Sequence, residues 1–160
     1  MDYILQLVCA FVATYGIAVI FNAPKSTLVP CGLVGMIGWL IYYVMIRHDT
    51  DSVTASFCGA FLVSIVAHYQ AAKHRTPMLI FVVGGIIPLV PGGLAYEAMR
   101  HVVANEYNES LQFFLKTGII TGAIVMGLVI AEVLVQLYRK MIRKMVHIKK
   151  IVPKVSKNKG

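Results

Sequence analysis

Long apolar runs joined by short polar connections dominate the sequence. A helix needs about 20 apolar residues to cross the hydrocarbon core of a membrane, and four uninterrupted runs reach that length. One further run is long enough, but prolines and glycines interrupt it. The sequence therefore predicts an all-α integral membrane protein with about five transmembrane helices, the fourth of them discontinuous. The predicted spans are about 3–21, 28–46, 53–70, 78–103 and 114–137.

The interrupted run contains the segment GGIIPLVPGGLAYE at residues 84–97. Pro88 and Pro91 each lack an N–H and clash with the carbonyl four residues earlier. The two glycines that follow allow backbone angles closed to other residues. We therefore expect one half-helix from about Met78, a short extended linker PLVPGG, and a second half-helix starting near Leu94.

The position of this break suggests a binding site. Counted from Pro77, Pro88 lies roughly 16 Å along a helix, which is close to the midplane of a bilayer. The second half-helix would direct unpaired N–H groups and a positive dipole end at that depth, which suits a carboxylate without any basic side chain. Such broken helices recur in secondary transporters. The alternative is a proline kink that only shapes packing.

Composition supports the membrane assignment. The chain is 58% hydrophobic and 14% charged, whereas a soluble domain carries about 25% charged residues. The net charge of +8 is concentrated in residues 139–160, which hold nine Lys and Arg and no acid. This indicates a five-helix membrane domain at 1–138 and a basic cytoplasmic tail at 139–160 beside anionic lipid. No nucleic-acid-binding motif accompanies the tail, so nucleic acid is not an expected partner.

Charges in the connections predict the orientation. With the tail inside, the NEYNES connection lies outside, and it carries no Lys or Arg. If 78–103 crosses the membrane, Lys73 and Arg75 lie inside, as the positive-inside rule requires. A re-entrant loop would instead put both of them and Arg100 outside. Five crossings, with the N-terminus outside and the C-terminus inside, fit better.

Glycine spacing suggests where helices approach closely. Gly32, Gly35 and Gly38 share a face of the second span, and Gly118 and Gly122 form a GxxxG in the last one. Small residues at these spacings let helix backbones come together. These faces are expected to pack within the fold or against a partner.

Few polar residues elsewhere are candidates for function. Asn22 and Pro24 end the first span, where Asn22 is a candidate for substrate contact or simply caps the turn. His68, near the cytoplasmic end of the third span, is a candidate for carrying a coupling proton or has an ordinary interfacial role. Glu97, one turn past the break, could carry a coupling proton or pair with Arg100 or the next residue, a histidine.

Sequence motifs for catalysis are absent. There is no HExxH, GxSxG or P-loop and no paired carboxylates at useful spacing. The three cysteines fall in apolar runs without CxxC spacing and are expected to be small buried hydrophobes. The chain is therefore not expected to be an enzyme or to carry a metal or cofactor.

Three segments, FNAPKSTL, GLVGMIGW and GIIPLVPGGLAYEAM, resemble the threonine/serine exporter family, specifically its C-terminal membrane domain. The resemblance covers about residues 1–137. In split systems of this family the domain is a separate small subunit. The residues that the resemblance implies near the substrate are Asn22, Pro24, Pro88, Pro91, Gly92, Gly93 and Tyr96.

The resemblance implies a function as well. It suggests a subunit of a bacterial inner-membrane exporter of small acids, either threonine and serine or a dicarboxylate such as succinate. The implied partner is a larger subunit with a soluble N-terminal region and five helices of its own, in a hetero- or homo-oligomer. Coupling to the proton gradient would use His68 or Glu97. The alternative is a non-transporting scaffold or assembly subunit, for which the break would be only a kink.

Overall fold

The chain forms a helical bundle in which short turns reverse its direction. The computed structural model describes residues 2–156, with side chains described for residues 3–142. α1, α2, α3 and α6 are each long and apolar enough to cross a membrane, and α4 with α5 forms one bent pair. The predicted all-α membrane fold with a discontinuous fourth span is confirmed. The elements are α1 (Asp2–Ile20), α2 (Lys25–Arg47), α3 (Ser52–His74), α4 (Met78–Ile86), a 3₁₀ turn (Ile87–Leu89), α5 (Gly92–Val103) and α6 (Tyr107–Ser156).

Four short turns reverse the chain between the helices. Each contains one residue in the left-handed conformation: Asn22, Asp49, Arg75 and Asn105, with φ of 52°, 55°, 53° and 61°. Asn and Asp tolerate this conformation better than most residues, and it is a common way to end a helix. Because the turns are short, α1, α2 and α3 lie beside one another and α5 lies beside α6.

The core of the bundle depends on small residues. A Cβ added to Gly32, Gly35 or Gly38 would collide with Phe11, Thr14 or Val63, so the predicted close packing of this face of α2 is confirmed. Around it lies a buried apolar cluster that joins α1, α2, α3 and α4. Its buried members are Ala18, Cys31, Val34, Val63, Ala67, Phe81 and Val82.

The second half of the bent pair is attached differently. α5 packs mainly on α6, where the Ser110 hydroxyl donates a hydrogen bond of 2.8 Å to the Ala98 carbonyl. The His101 ring stacks on Phe113 with the ring centres 5.3 Å apart. α5 and α6 thus form a helical hairpin beside the α1–α4 core.

The last helix is longer than the sequence predicted. It begins at Tyr107 and continues to Ser156 without a break at the boundary between 138 and 139. The division into a membrane domain and a basic tail stays a prediction. Residues 157–160 of that tail, and its side chains from 143 onward, lie outside the described part of the chain.

Candidate functional site

The helix break is more compact than predicted. The axes on its two sides differ by 54°. The segment expected to be extended contains a 3₁₀ turn, and α5 begins at Gly92 instead of near Leu94. Only Val90 and Pro91 lie between the two helical parts. A 3₁₀ turn forms because Pro88 stands at its start, where no N–H is needed, and the Val90 N–H donates to the carbonyls of Ile86 and Ile87 at 3.2 and 3.3 Å.

Gly92 and Gly93 do not use the unusual backbone angles that glycine allows. Both belong to α5, and no described glycine has a positive φ. Pro91, with φ −77° and ψ 55°, makes the turn instead. The Gly92 N–H donates to the Val90 carbonyl at 2.8 Å, which closes a tight turn immediately before the helix.

Leu89 holds the break in place. It is 4% exposed, and its side chain fills a notch between α2 and α3. A Cβ on Gly38 would lie 3.2 Å from Leu89 Cδ1, and a Cβ on Gly59 would lie 2.6 Å from Leu89 Cδ2. These two glycines therefore make the space into which the 3₁₀ turn inserts.

A cavity of about 440 Å³ adjoins the break, between α2, α3, α5 and α6. Within the described chain, no acceptor is present for the N–H groups of Gly93 and Leu94, which start α5. Free N–H groups at a helix start favour an anion. The lining residues are Trp39, Tyr42, Ser52, Ser56, Pro88, Leu89, Val90, Pro91, Gly92, Gly93, Leu94, Lys116 and Ile120.

Lys116 is the lining residue that sequence reasoning missed. It stands in the first half of α6 within the apolar run FFLKTGIITGAIV. No carboxylate of the described chain pairs with it. A lysine without a carboxylate partner near the end of a membrane span is a candidate for function, and this signal was present in the sequence. With Lys116 and no Asp or Glu in its lining, the cavity is positive.

Hydroxyl groups and one indole complete the lining. The Ser56 hydroxyl donates to the Ser52 carbonyl at 2.8 Å, so its oxygen can still accept a hydrogen bond. Trp39 Nε1 donates to Gln6 Oε1 at 3.3 Å. Trp39 and Pro88 also line a second, apolar cavity of about 310 Å³ against α1. The indole thus stands between a polar and an apolar compartment.

The predicted substrate-binding residues fall into two groups. Pro88, Pro91, Gly92 and Gly93 come together at the cavity. Tyr96, on α5 one turn further, is 67% exposed and lies outside the lining.

Asn22 and Pro24 lie elsewhere, in the turn between α1 and α2. Pro88 and Ala13 of α1 line the same apolar cavity, and Asn22 is nine residues after Ala13, or about 14 Å of helix. The Pro24 carbonyl accepts bonds of 2.8 Å from both the N–H and the hydroxyl of Thr27. In this conformation the pair organises the start of α2.

The two candidates for proton coupling have contrasting surroundings. Glu97 forms a 2.9 Å salt bridge with Arg100 on the partly exposed surface of α5. His68 is buried, with Nε2 at 3.4 Å from Glu132 Oε2 across the interface of α3 and α6. The sequence identified His68 but did not pair it with Glu132, since the two are 64 positions apart.

One group of side chains has ligands suited to a metal. His101, Glu106 and Glu109 bring their ligand atoms within 4.8 Å of one another at the turn between α5 and α6. His101 Nδ1 lies 2.6 Å from Glu106 Oε2 and 3.2 Å from Glu109 Oε2. These contacts attach the end of α5 to the start of α6. This structural role explains why the three side chains lie together, and no bound ion is needed to explain it.

A family model matches most of the chain. The family model described as Threonine/Serine exporter, ThrE matches residues 6–134, which is 129 of the 160 residues. The matched region contains the helix break, the cavity lining and the His68–Glu132 contact. No solved structure matches the chain.

Proposed function

The chain belongs to the threonine/serine exporter family, and on this premise we propose that it is a membrane subunit of a secondary exporter of small amino or carboxylic acids. The observation that carries the proposal is the positive, acid-free cavity at the helix break. A small carboxylate is the ligand that such a cavity attracts. The family is one of transporters, and we assign no catalytic step and no cofactor to the chain.

Binding would use the backbone and one side chain. The substrate carboxylate accepts hydrogen bonds from the N–H groups of Gly93 and Leu94 at the positive end of α5. Lys116, on α6, offers a second positive contact for the anion. Tyr42, Ser52 and Ser56 supply partners for a hydroxyl or amino group. A dicarboxylate would use both positive positions, whereas threonine or serine would use one of them and the hydroxyl groups.

A larger subunit of the same family would complete the pathway. The proposal is supported by the GxxxG of α6, because a Cβ on Gly118 or Gly122 would meet nothing within 4 Å. Small residues exposed on a membrane helix suit close contact with another helix. The complex lies in a bacterial inner membrane with the N-terminus outside, the C-terminus inside and the basic tail at anionic lipid.

Asn22, Pro24 and Tyr96 would act at other stages of transport. Asn22 and Pro24 lie at the cytoplasmic end in the proposed orientation, where substrate enters. Tyr96 faces outward from α5, near the exit. Proton coupling uses His68 or Glu97, and of the two only His68 is buried.

Efflux from cells preloaded with labelled serine, threonine and succinate tests the proposal. The chain is expressed alone, with the larger subunit, and as Gly92→Leu/Gly93→Leu, whose side chains would fill the mouth of the cavity. Gly16→Leu is the matched control, because Gly16 also has open space around it but lies on α1. Export by the wild-type pair and the control, with loss in the double variant at normal membrane levels, supports the binding role.

The competing function is a scaffold without transport, in which the break only shapes a subunit contact. In that case the larger subunit exports equally well without this chain. The double variant would then co-purify poorly with its partner, and the substrate preference of the remaining complex would be unchanged. Normal efflux from a correctly inserted double variant would contradict substrate binding at the break.

A further inference from the structure

We infer that His68 and Glu132 together form one proton-binding site, which couples export to the proton gradient through the interface of α3 and α6. The inference rests on the proposed function for its role in transport. The proton site itself follows from the geometry of two helices. Glu132 is the new element, since nothing in the sequence pattern connects it with His68.

The contact is built into the interface. The His68 side chain is 7% exposed and the Glu132 side chain 36%, and His68 Nε2 lies 3.4 Å from Glu132 Oε2. The other carboxylate oxygen of Glu132 accepts a 2.7 Å hydrogen bond from Gln136 Nε2. His68 is six residues from the end of α3, so the pair lies about 9 Å inside that end.

Hydrogen-bond chemistry favours one proton shared between the two side chains. His68 Nδ1 lies 3.1 Å from the Ser64 carbonyl oxygen, which can only accept, so Nδ1 carries a hydrogen. In a neutral imidazole Nε2 is then an acceptor, and it faces a carboxylate oxygen that is also an acceptor. The contact becomes favourable only when one proton is bound, on Nε2 or on Glu132 Oε2.

The charge of the His68–Glu132 pair depends on this proton. With one proton bound, the pair is neutral overall, whereas without it the partly exposed Glu132 carboxylate faces an imidazole nitrogen that has no hydrogen to donate. The charged groups in contact with His68 are Glu132 and Arg139, whose Nη2 donates to the His68 carbonyl at 3.3 Å. From α2, the Cys31 thiol packs in the core that includes Ala67, and α4 contains no ionisable residue.

A buried hydroxyl extends the site towards the cavity. Ser64 is fully buried one turn from His68, and its Oγ has no hydrogen-bond partner in the described chain. Unsatisfied buried hydroxyls are rare and need an explanation. The Ser64 carbonyl accepts from His68 Nδ1, so Ser64 fixes which ring nitrogen faces Glu132.

The same two helices carry the cavity and the pair. On α3, Ser56 lines the cavity, and His68 follows twelve residues later. On α6, Ile120 lines the cavity, and Glu132 also follows twelve residues later. The sites are thus about 18 Å apart along one interface. Binding or loss of the proton changes the attraction between α3 and α6. It therefore shifts the equilibrium between arrangements of these two helices, and the shape of the cavity depends on the same arrangement.

The proton site is tested first without transport. The purified full chain is labelled with ¹⁵N-histidine in lipid nanodiscs and examined by NMR at neutral pH, with the His68 signals assigned from His68→Gln. Glu132→Gln is expected to displace the ¹⁵N signal of His68 Nε2, because the carboxylate that shares its proton is gone. Glu97→Gln is the matched control and leaves this signal unchanged. An undisplaced Nε2 signal in Glu132→Gln overturns the proton site.

Coupling is then tested in proteoliposomes with the complete exporter. Glu132→Gln is expected to lower export driven by a pH gradient by roughly tenfold or more, while exchange of labelled for unlabelled acid stays within about twofold. Retained gradient-driven export, or loss of exchange in a folded variant, overturns the coupling role. If the wild type exchanges no acid at all, the proposed function fails, and the NMR displacement still decides the proton site.

Discussion

Two sets of glycines in this membrane protein have opposite surroundings. A Cβ on Gly127 of α6 would lie 2.6 Å from the Phe57 carbonyl oxygen, and one on Gly85 would lie 2.7 Å from side-chain atoms of Val34 and Val63. A Cβ on Gly92 or Gly93 would meet nothing within 4 Å. The first set lets helices touch, and the second set lies at the cavity with empty space around it.

The difference separates structural glycines from candidates for function. Where a Cβ would collide, close packing explains the glycine fully. At Gly92 and Gly93 neither packing nor backbone angle requires glycine, because both positions are helical. What glycine provides there is open access to the helix N–H groups, which supports a ligand at the break.

The largest effect is expected at a packed glycine. Gly127→Ala puts a methyl group against backbone atoms of α3, which cannot yield as a flexible side chain can. We expect destabilisation of about 3 kcal/mol, at the upper end for overpacking, and loss of monodisperse protein. The destabilisation is measured by heating the purified variant and following the loss of monodisperse protein by size-exclusion chromatography. Gly122→Ala, on the same helix in open space, is the control, and equal behaviour of the two variants would contradict the distinction.

A smaller but specific effect is expected beside the open glycines, at Lys116. Lys116→Gln removes the positive charge from the cavity and leaves a shorter, neutral polar side chain. Loss of a charged hydrogen bond should cost about 1.5–3 kcal/mol, which raises the KM for export by about ten- to a hundredfold. Lys73→Gln, at the end of α3 away from the cavity, should leave KM unchanged. An unaltered KM in Lys116→Gln would remove this residue from the site.

Gly118 and Gly122 of α6 test the difference between packed and open glycines on a surface outside the cavity. Gly118→Leu/Gly122→Leu has room within the chain, so the subunit should insert and fold normally. If this face contacts another helix, co-purification of the larger subunit should fall severalfold. Gly16→Leu on α1 serves as the reference. Undiminished co-purification would mean that this face contacts lipid instead.

The smallest effect is a gain in stability. Gly92→Ala and Gly93→Ala add a methyl group in empty space at helical positions. Each should stabilise the fold by at most about 1 kcal/mol through helix propensity. Thermal denaturation measures this gain, and a loss of stability would show that the glycines are structurally required. A packed glycine such as Gly85 should respond with the opposite sign.

The sequence alone determined the spans and the place of the break. Hydropathy marks a membrane helix because each helix must satisfy its own backbone in lipid, and Pro88 and Pro91 interrupt a helix whatever surrounds them. Both effects act over a few neighbouring residues. The shape of the linker was less predictable, since a 3₁₀ turn and an extended segment both tolerate these prolines, and Leu89 selects between them by filling a distant notch.

The tertiary structure decided which side chains meet. Lys116 joins the helix break across the cavity, Glu132 joins His68 across the interface, and Asn22 stays about a half-helix away from both prolines. These distances depend on the rotation and depth at which α3 and α6 pack, which close contacts such as Gly127 on Phe57 fix. Packing geometry of this kind is a property of two surfaces together, and neither helix encodes it by its own pattern.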